Sequence, residues 1–78
     1  MSNFEKYKKI FCNSLSIEDE KFDDLKYNSI DQWDSIGHMS LISDLEEGFK
    51  ISFETDDIVD FSSFKKGKEI LTKYRVKF

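Results

Sequence analysis

The chain has 78 residues, with 16 Asp and Glu against 12 Lys and Arg and a formal net charge of −4. So short a chain makes one small domain, residues 1–78, with a modest core and little material for an elaborate enzyme pocket. The acidic balance argues against nucleic-acid binding and for partners with basic surfaces.

In chain order, the first helix is expected from Asn3 to Leu15. Phe4, Tyr7, Ile10, Phe11 and Leu15 recur at helical spacing, and Glu5, Lys6, Lys8 and Lys9 fill the rest. Cys12 is the single cysteine, so no internal disulfide or thiol cluster is available, and it reads as a half-buried helix residue. The connection from Ser16 to Asp34 exceeds the ~12–15 residues usual in a compact domain. Ser16 with Asp19 resembles a capping box for one short turn. Ile17, Phe22, Leu25, Ile30 and Trp33 are spaced apolar anchors that should pin this segment across a bundle.

The second helix is expected from Ser35 to Phe49. Lys50-Ile51-Ser52-Phe53 alternates, but one such run without a partner strand does not make a sheet. A short third helix fits Thr55 to Asp60, with Thr55 as N-cap and Asp56 and Asp57 in the first turn. The fourth runs from Phe64 to Tyr74 behind a Ser62 or Ser63 cap, with Phe64, Ile70, Leu71 and Tyr74 on its apolar face. Lys73, Arg75 and Lys77 suit its C-terminus. The fold expected is all-α: a four-helix bundle of three longer helices and one short helix, with a long loop between the first two. Its core should include Phe4, Phe11, Leu41, Leu45, Phe49 and Ile70. No apolar run approaches the roughly 18 residues needed to span a bilayer, and the first residues lack the apolar centre of a secretion signal. A cytoplasmic monomer is expected.

The run Trp33-Asp34-Ser35-Ile36-Gly37-His38-Met39 opens the second helix. Ser35 follows an acid at the helix start, where its hydroxyl points outward at the positive end of the dipole. Such a place suits a phosphate ester. Asp34 can cap the helix, and Gly37 leaves room beside the serine. Advancing about 100° per residue from Ser35 puts Leu41, Ile42, Leu45 and Phe49 on one core-facing stripe. Ile36, Met39 and Ser43 fall on another side, bracketed by Glu46 and Glu47. A helix that needed only to fold would place polar residues there. The pattern reads as a docking face, apolar contacts ringed by acids that seek Lys and Arg. The alternative is that Ile36 packs on the long connection and Met39 fills a gap in the core. From Asp31 to Asp60 there are nine acids and one lysine, and residues 61–78 hold six bases and one acid. Asp56 and Asp57 extend the acidic half.

His38 suggests a Ser-His-Asp hydrolase. The helical wheel opposes this, since His38 lies about 300° from Ser35, on the core side. A triad also needs an oxyanion hole and a substrate pocket. His38 is expected to touch the long connection instead.

Asp34-Ser35, followed by apolar residues at positions 36, 39, 41, 42, 45 and 49, Glu46-Glu47 and the Ile51/Phe53 pair, resembles the acyl carrier protein family. The likeness extends along the chain in its order of helix, long loop, Asp-Ser, helix, short acidic helix and final helix. The resemblance implies that Ser35 carries a 4′-phosphopantetheine arm attached by a phosphopantetheinyl transferase. It implies that Asp34 helps hold the metal ion of that transfer, with no resident metal in the carrier. It also implies that Asp34, Ile36, Met39, Glu46 and Glu47 belong to the partner-reading surface. The protein would then be no enzyme. It would hold an acyl or aminoacyl group as a thioester, loaded by a ligase and passed to transferases or synthases with basic docking surfaces.

Ile36 replaces the family's usual leucine. Trp33 stands where housekeeping carriers have a small residue, and the Gly-Gly-(His/Asp)-Ser signature of peptidyl carriers is absent. Trp33 makes the chain resemble discrete carriers of specialised pathways or the D-alanyl carrier branch. A housekeeping fatty-acid carrier, a D-alanyl carrier and an unmodified helical adaptor are the alternatives.

Overall fold

Ser2 starts the first helix by accepting the Glu5 N–H on its hydroxyl at 3.2 Å. In the computed structural model, which describes residues 2–17 and 22–78, α1 spans Asn3–Leu15 and α2 spans Ser35–Phe49. The short α3 spans Thr55–Asp60, and α4 spans Phe64–Lys73. A single 3₁₀ turn, Phe22–Asp24, lies in the connection. Among the described residues there are no named strands. The all-α bundle expected from the sequence is therefore the fold.

Side chains set most helix starts. Asp34 caps α2, and Ser63 caps α4 by accepting the Lys66 N–H at 2.9 Å. Thr55 does not cap α3: it is the first helical residue, and Glu54 before it is the N-cap without a side-chain bond. α4 ends one residue early, with Tyr74 as its C-cap. α1 and α2 stop on Ser16 and Lys50, both left-handed, whose N–H groups return to Cys12 O and Glu46 O. Ser16 thus ends a helix; Asp19, its expected capping-box partner, lies outside the described residues.

The core is built around Phe11. Its ring meets Tyr7 at 5.0 Å, Trp33 at 5.4 Å and Phe64 at 5.0 Å, all in edge contacts. Such pairs add stabilisation beyond their buried area. Leu41, Ile42 and Leu45 close the core from α2, and Ile70 and Leu71 from α4. Tyr7 is buried and donates its hydroxyl to Phe64 O at 2.7 Å, and burial pushes that hydroxyl's pKa far up. Gly67 makes this crossing possible, because a Cβ there would lie 2.2 Å from the Tyr7 oxygen and 2.3 Å from the Phe61 ring.

Two expected core residues are not fully buried, although Phe49 still packs against the core. Phe4 is 37% exposed, because the first turn of α1 reaches the rim of the bundle. There it rests edge-on against Phe64, with the Lys8 and Lys68 ammonium groups 4.9 and 5.0 Å from its ring centre. Phe49 is half-buried under Lys6. Phe61, which the helical periodicity did not mark, is buried beside Phe11 and Trp33.

The long connection is pinned as its apolar anchors suggest: Phe22, Leu25 and Trp33 are buried, and Ile17 and Ile30 are half-buried. Its backbone also pairs with the link between α3 and α4. Tyr27 N–H donates to Ser62 O at 2.8 Å, and Phe64 N–H donates to Leu25 O at 3.0 Å. Among the described residues, no helix is long and apolar enough to cross a membrane.

Candidate functional site

Asp34 fixes the local backbone at the start of α2. Its carboxylate accepts the Gly37 N–H at 2.8 Å and its carbonyl accepts the His38 N–H at 2.7 Å. Ser35, the first residue of the helix, is exposed. The opening N–H groups of a helix have no partner within it, which favours an anion nearby.

Gly37 has a different role from the one its proximity to Ser35 suggested. A Cβ at Gly37 would fall 2.1 Å from the Gln32 carbonyl oxygen and 3.3 Å from Leu15 Cδ2. The glycine therefore admits the backbone of the long connection, on the side of α2 that meets α1.

Beside Ser35 lies a groove of about 360 Å³ between α2 and α3. Ser35, His38 and Met39 line it from α2, and Ile58 and Val59 from α3. Tyr27, Phe61 and Ser62 complete it. The Tyr27 hydroxyl lies 3.1 Å from Ser35 Oγ, and its ring stands edge-on to His38 at 5.3 Å.

His38 shares this groove with Ser35, since 300° around the wheel is about 60° the other way and residues three apart are neighbours on a helix surface. It also touches the long connection, as expected. The Trp33 indole N–H donates to His38 Nδ1 at 3.0 Å. An indole nitrogen only donates, so Nδ1 accepts and Nε2 carries the hydrogen. Nε2 then donates to the Ile58 carbonyl at 2.8 Å. With both ring nitrogens engaged, His38 has no lone pair to offer Ser35 as a base.

On the outer face, Ile36 is 82% exposed and Met39 55%, so neither fills the core. Val59, from α3, joins them at 75% exposure. Ser43, Glu47 and Asp56 are exposed as well.

Two of the acids assigned to the partner-reading surface are engaged within the molecule. Glu46 is half-buried and accepts the Phe53 N–H at 2.8 Å. Asp57 is only 5% exposed and turns inward, unlike the exposed position expected for it. Its carboxylate receives Lys73 Nζ at 2.7 Å and the Tyr74 hydroxyl at 2.5 Å. The Lys73 bond, then the Tyr74 bond, holds the Asp57 carboxyl below the usual carboxylate range. The same contact with Asp57 raises Lys73 and Tyr74 above their ordinary values. Tyr74 also accepts the Glu54 N–H at 3.0 Å, so the end of α4 holds the start of α3.

Sequence reasoning missed Tyr27, Val59 and Phe61. Adjacent Ile58 and Val59 in a short acidic helix were a visible signal, since one faces the bundle and the other must face out. Tyr27 and Phe61 carry no local signal, because their roles arise from the crossing of the connection over the α3–α4 link. No protein-family model, curated protein or solved structure matches the chain.

Proposed function

We propose that this protein is a discrete carrier, holding an acyl or aminoacyl group for partner enzymes on a 4′-phosphopantetheine arm at Ser35. The observation that carries this reading is an exposed serine on the first residue of α2, at the edge of a largely apolar groove. The residues present fit the group. The Ser35 hydroxyl is accessible, the helix start favours the phosphodiester charge, and Met39, Ile58 and Phe61 offer apolar surface to what lies beyond. The arm supplies a thiol, on which cargo is held as a thioester.

In the attachment step, Ser35 Oγ forms a bond to the pantetheine-bearing phosphorus of coenzyme A. The bond from that phosphorus to the bridging oxygen breaks, and adenosine 3′,5′-bisphosphate leaves with the electron pair. The serine proton goes to a base of the transferase, since His38 has both nitrogens engaged. Asp34 is exposed, and with one carboxylate oxygen capping the Gly37 N–H, its other oxygen would help hold the transfer's metal ion.

The exposed Ile36, Met39 and Val59, with Glu47 and Asp56, suit partners that present apolar and basic surface: the transferase, a loading ligase, and acyl-using transferases or synthases. The reading extends to a cytoplasmic role in a specialised biosynthetic pathway.

The test is incubation with a phosphopantetheinyl transferase and coenzyme A, followed by intact-mass and peptide mass spectrometry. One arm on Ser35, and none on Ser35→Ala, is expected. An arm on another residue would overturn the assignment of Ser35, and no arm with several transferases would overturn the reading in favour of an unmodified adaptor.

A further inference from the structure

Tyr27 belongs neither to the docking face nor to the closed core. Among the described residues, its hydroxyl has Ser35 Oγ as its hydrogen-bond partner, at 3.1 Å. The residue is half-buried and well anchored. Its backbone N–H is bound to Ser62 O, and its ring rests against His38, which Trp33 and Ile58 hold in turn. A phenylalanine would fill the same space and keep the ring contact. What the hydroxyl adds is the contact with Ser35.

We infer that Tyr27 is a positioning residue for the phosphodiester at Ser35, donating its hydroxyl hydrogen to the ester and holding it at the groove. This rests on the carrier reading. In the unmodified protein either hydroxyl can donate, and the pair is neutral. Once Ser35 is esterified, its oxygen has no hydrogen and only accepts, while the phenol still donates. An anionic acceptor now lies within the reach of that donor. Hydrogen bonds to ionised acceptors are roughly twice as strong as neutral ones. The Tyr27 contact therefore strengthens on modification, and favours the modified form over the unmodified one. Because Tyr27 is fixed to the groove wall, it also biases the arm toward Met39, Ile58 and Phe61 rather than toward open solvent.

The experiment compares unmodified and arm-bearing forms of the wild type, Tyr27→Phe and Tyr74→Phe. Thermal unfolding and the phosphorus-31 resonance of the arm are the readouts. The arm should raise the wild-type Tm, and Tyr27→Phe should lose most of that rise and shift the phosphorus resonance. Tyr74→Phe removes two hydrogen bonds in which Ser35 takes no part, to Asp57 and from the Glu54 N–H; it should lower the Tm of both forms alike and leave the resonance in place. If Tyr27→Phe takes the arm on Ser35 with an unchanged resonance and an undiminished rise in Tm, the role of Tyr27 is overturned and the carrier reading stands. If the wild type takes no arm, both fall. Equal loss of Tm from both forms of Tyr27→Phe, without a resonance shift, would assign the residue to structure alone.

Discussion

Glu46 accepts the Phe53 amide N–H at 2.8 Å, so a side chain near the end of α2 holds the segment that leads into α3. Glu47, its neighbour, is exposed. The two acids should separate in experiment. Glu47→Lys should slow association with a basic partner and leave stability unchanged, because rim charges act mainly on encounter. Glu46→Lys should cost about 1–2 kcal/mol of folding stability through the lost bond to Phe53. Urea unfolding beside arm-transfer rates at several carrier concentrations would show whether the effects divide this way.

Ile36 tests the apolar part of the same face. It is 82% exposed, so Ile36→Asp should leave the Tm near that of the wild type. In a complex the new carboxylate would be buried without a partner, at a cost of several kcal/mol. Transfer onto Ser35 should therefore fall more steeply for Ile36→Asp than for Glu47→Lys, at low and high salt alike. Equal rates for folded Ile36→Asp and wild type would remove Ile36 from the contact.

Gly37 and Gly48 both lie in α2, yet alanine should act on them in opposite directions. Alanine at an exposed helix position gains about 1 kcal/mol over glycine. At Gly37 the new Cβ meets the Gln32 carbonyl, which is backbone, and overpacking should outweigh that gain by about 1–3 kcal/mol. At Gly48 it meets the Ile10 Cδ1 methyl, the movable end of a side chain, so Gly48→Ala should be neutral or stabilising. Chemical denaturation of the two variants decides the matter.

Leu45 is fully buried on the core-facing side of α2, and Leu45→Ala should cost about 2–5 kcal/mol. A loss below about 0.5 kcal/mol in equilibrium unfolding would contradict the packing described for this stripe.

The Asp57 cluster sets a pH dependence with two limbs. A carboxyl with a lowered folded pKa contributes stability above the unfolded value and loses it as pH falls through the folded value. Lys73 and Tyr74 are raised, so their contributions are present below the unfolded values and are lost as pH rises through the folded ones. Thermal unfolding followed by circular dichroism should show a plateau that declines below about pH 4 and above about pH 10. Asp57→Asn should give a shallower acid limb; an acid limb as steep as in the wild type would contradict the assignment.

The helices were legible because apolar spacing and cap residues act over a few positions: α1 and α2 span Asn3–Leu15 and Ser35–Phe49, the bounds expected for them. Ile36 and Met39 were legible for the same reason, as apolar residues off the buried stripe. What periodicity does not encode is the distant partner. An aspartate in the first turn of a short helix reads as exposed unless Lys73 and Tyr74 are known to reach it. Gly37 reads as space for Ser35 until the Gln32 carbonyl is seen against it. Phe4 obeys the helical spacing, but spacing gives a direction around the axis and says nothing of where the bundle ends.

Trp33 is the chain's one tryptophan, and its N–H ends on the histidine that in turn holds the Ile58 carbonyl across the groove. Spreading α2 from α3 must stretch one of these two bonds or turn the imidazole. The indole therefore offers an optical gauge of the gap, since a change in the bond from its N–H to His38 alters the surroundings of the emitting ring.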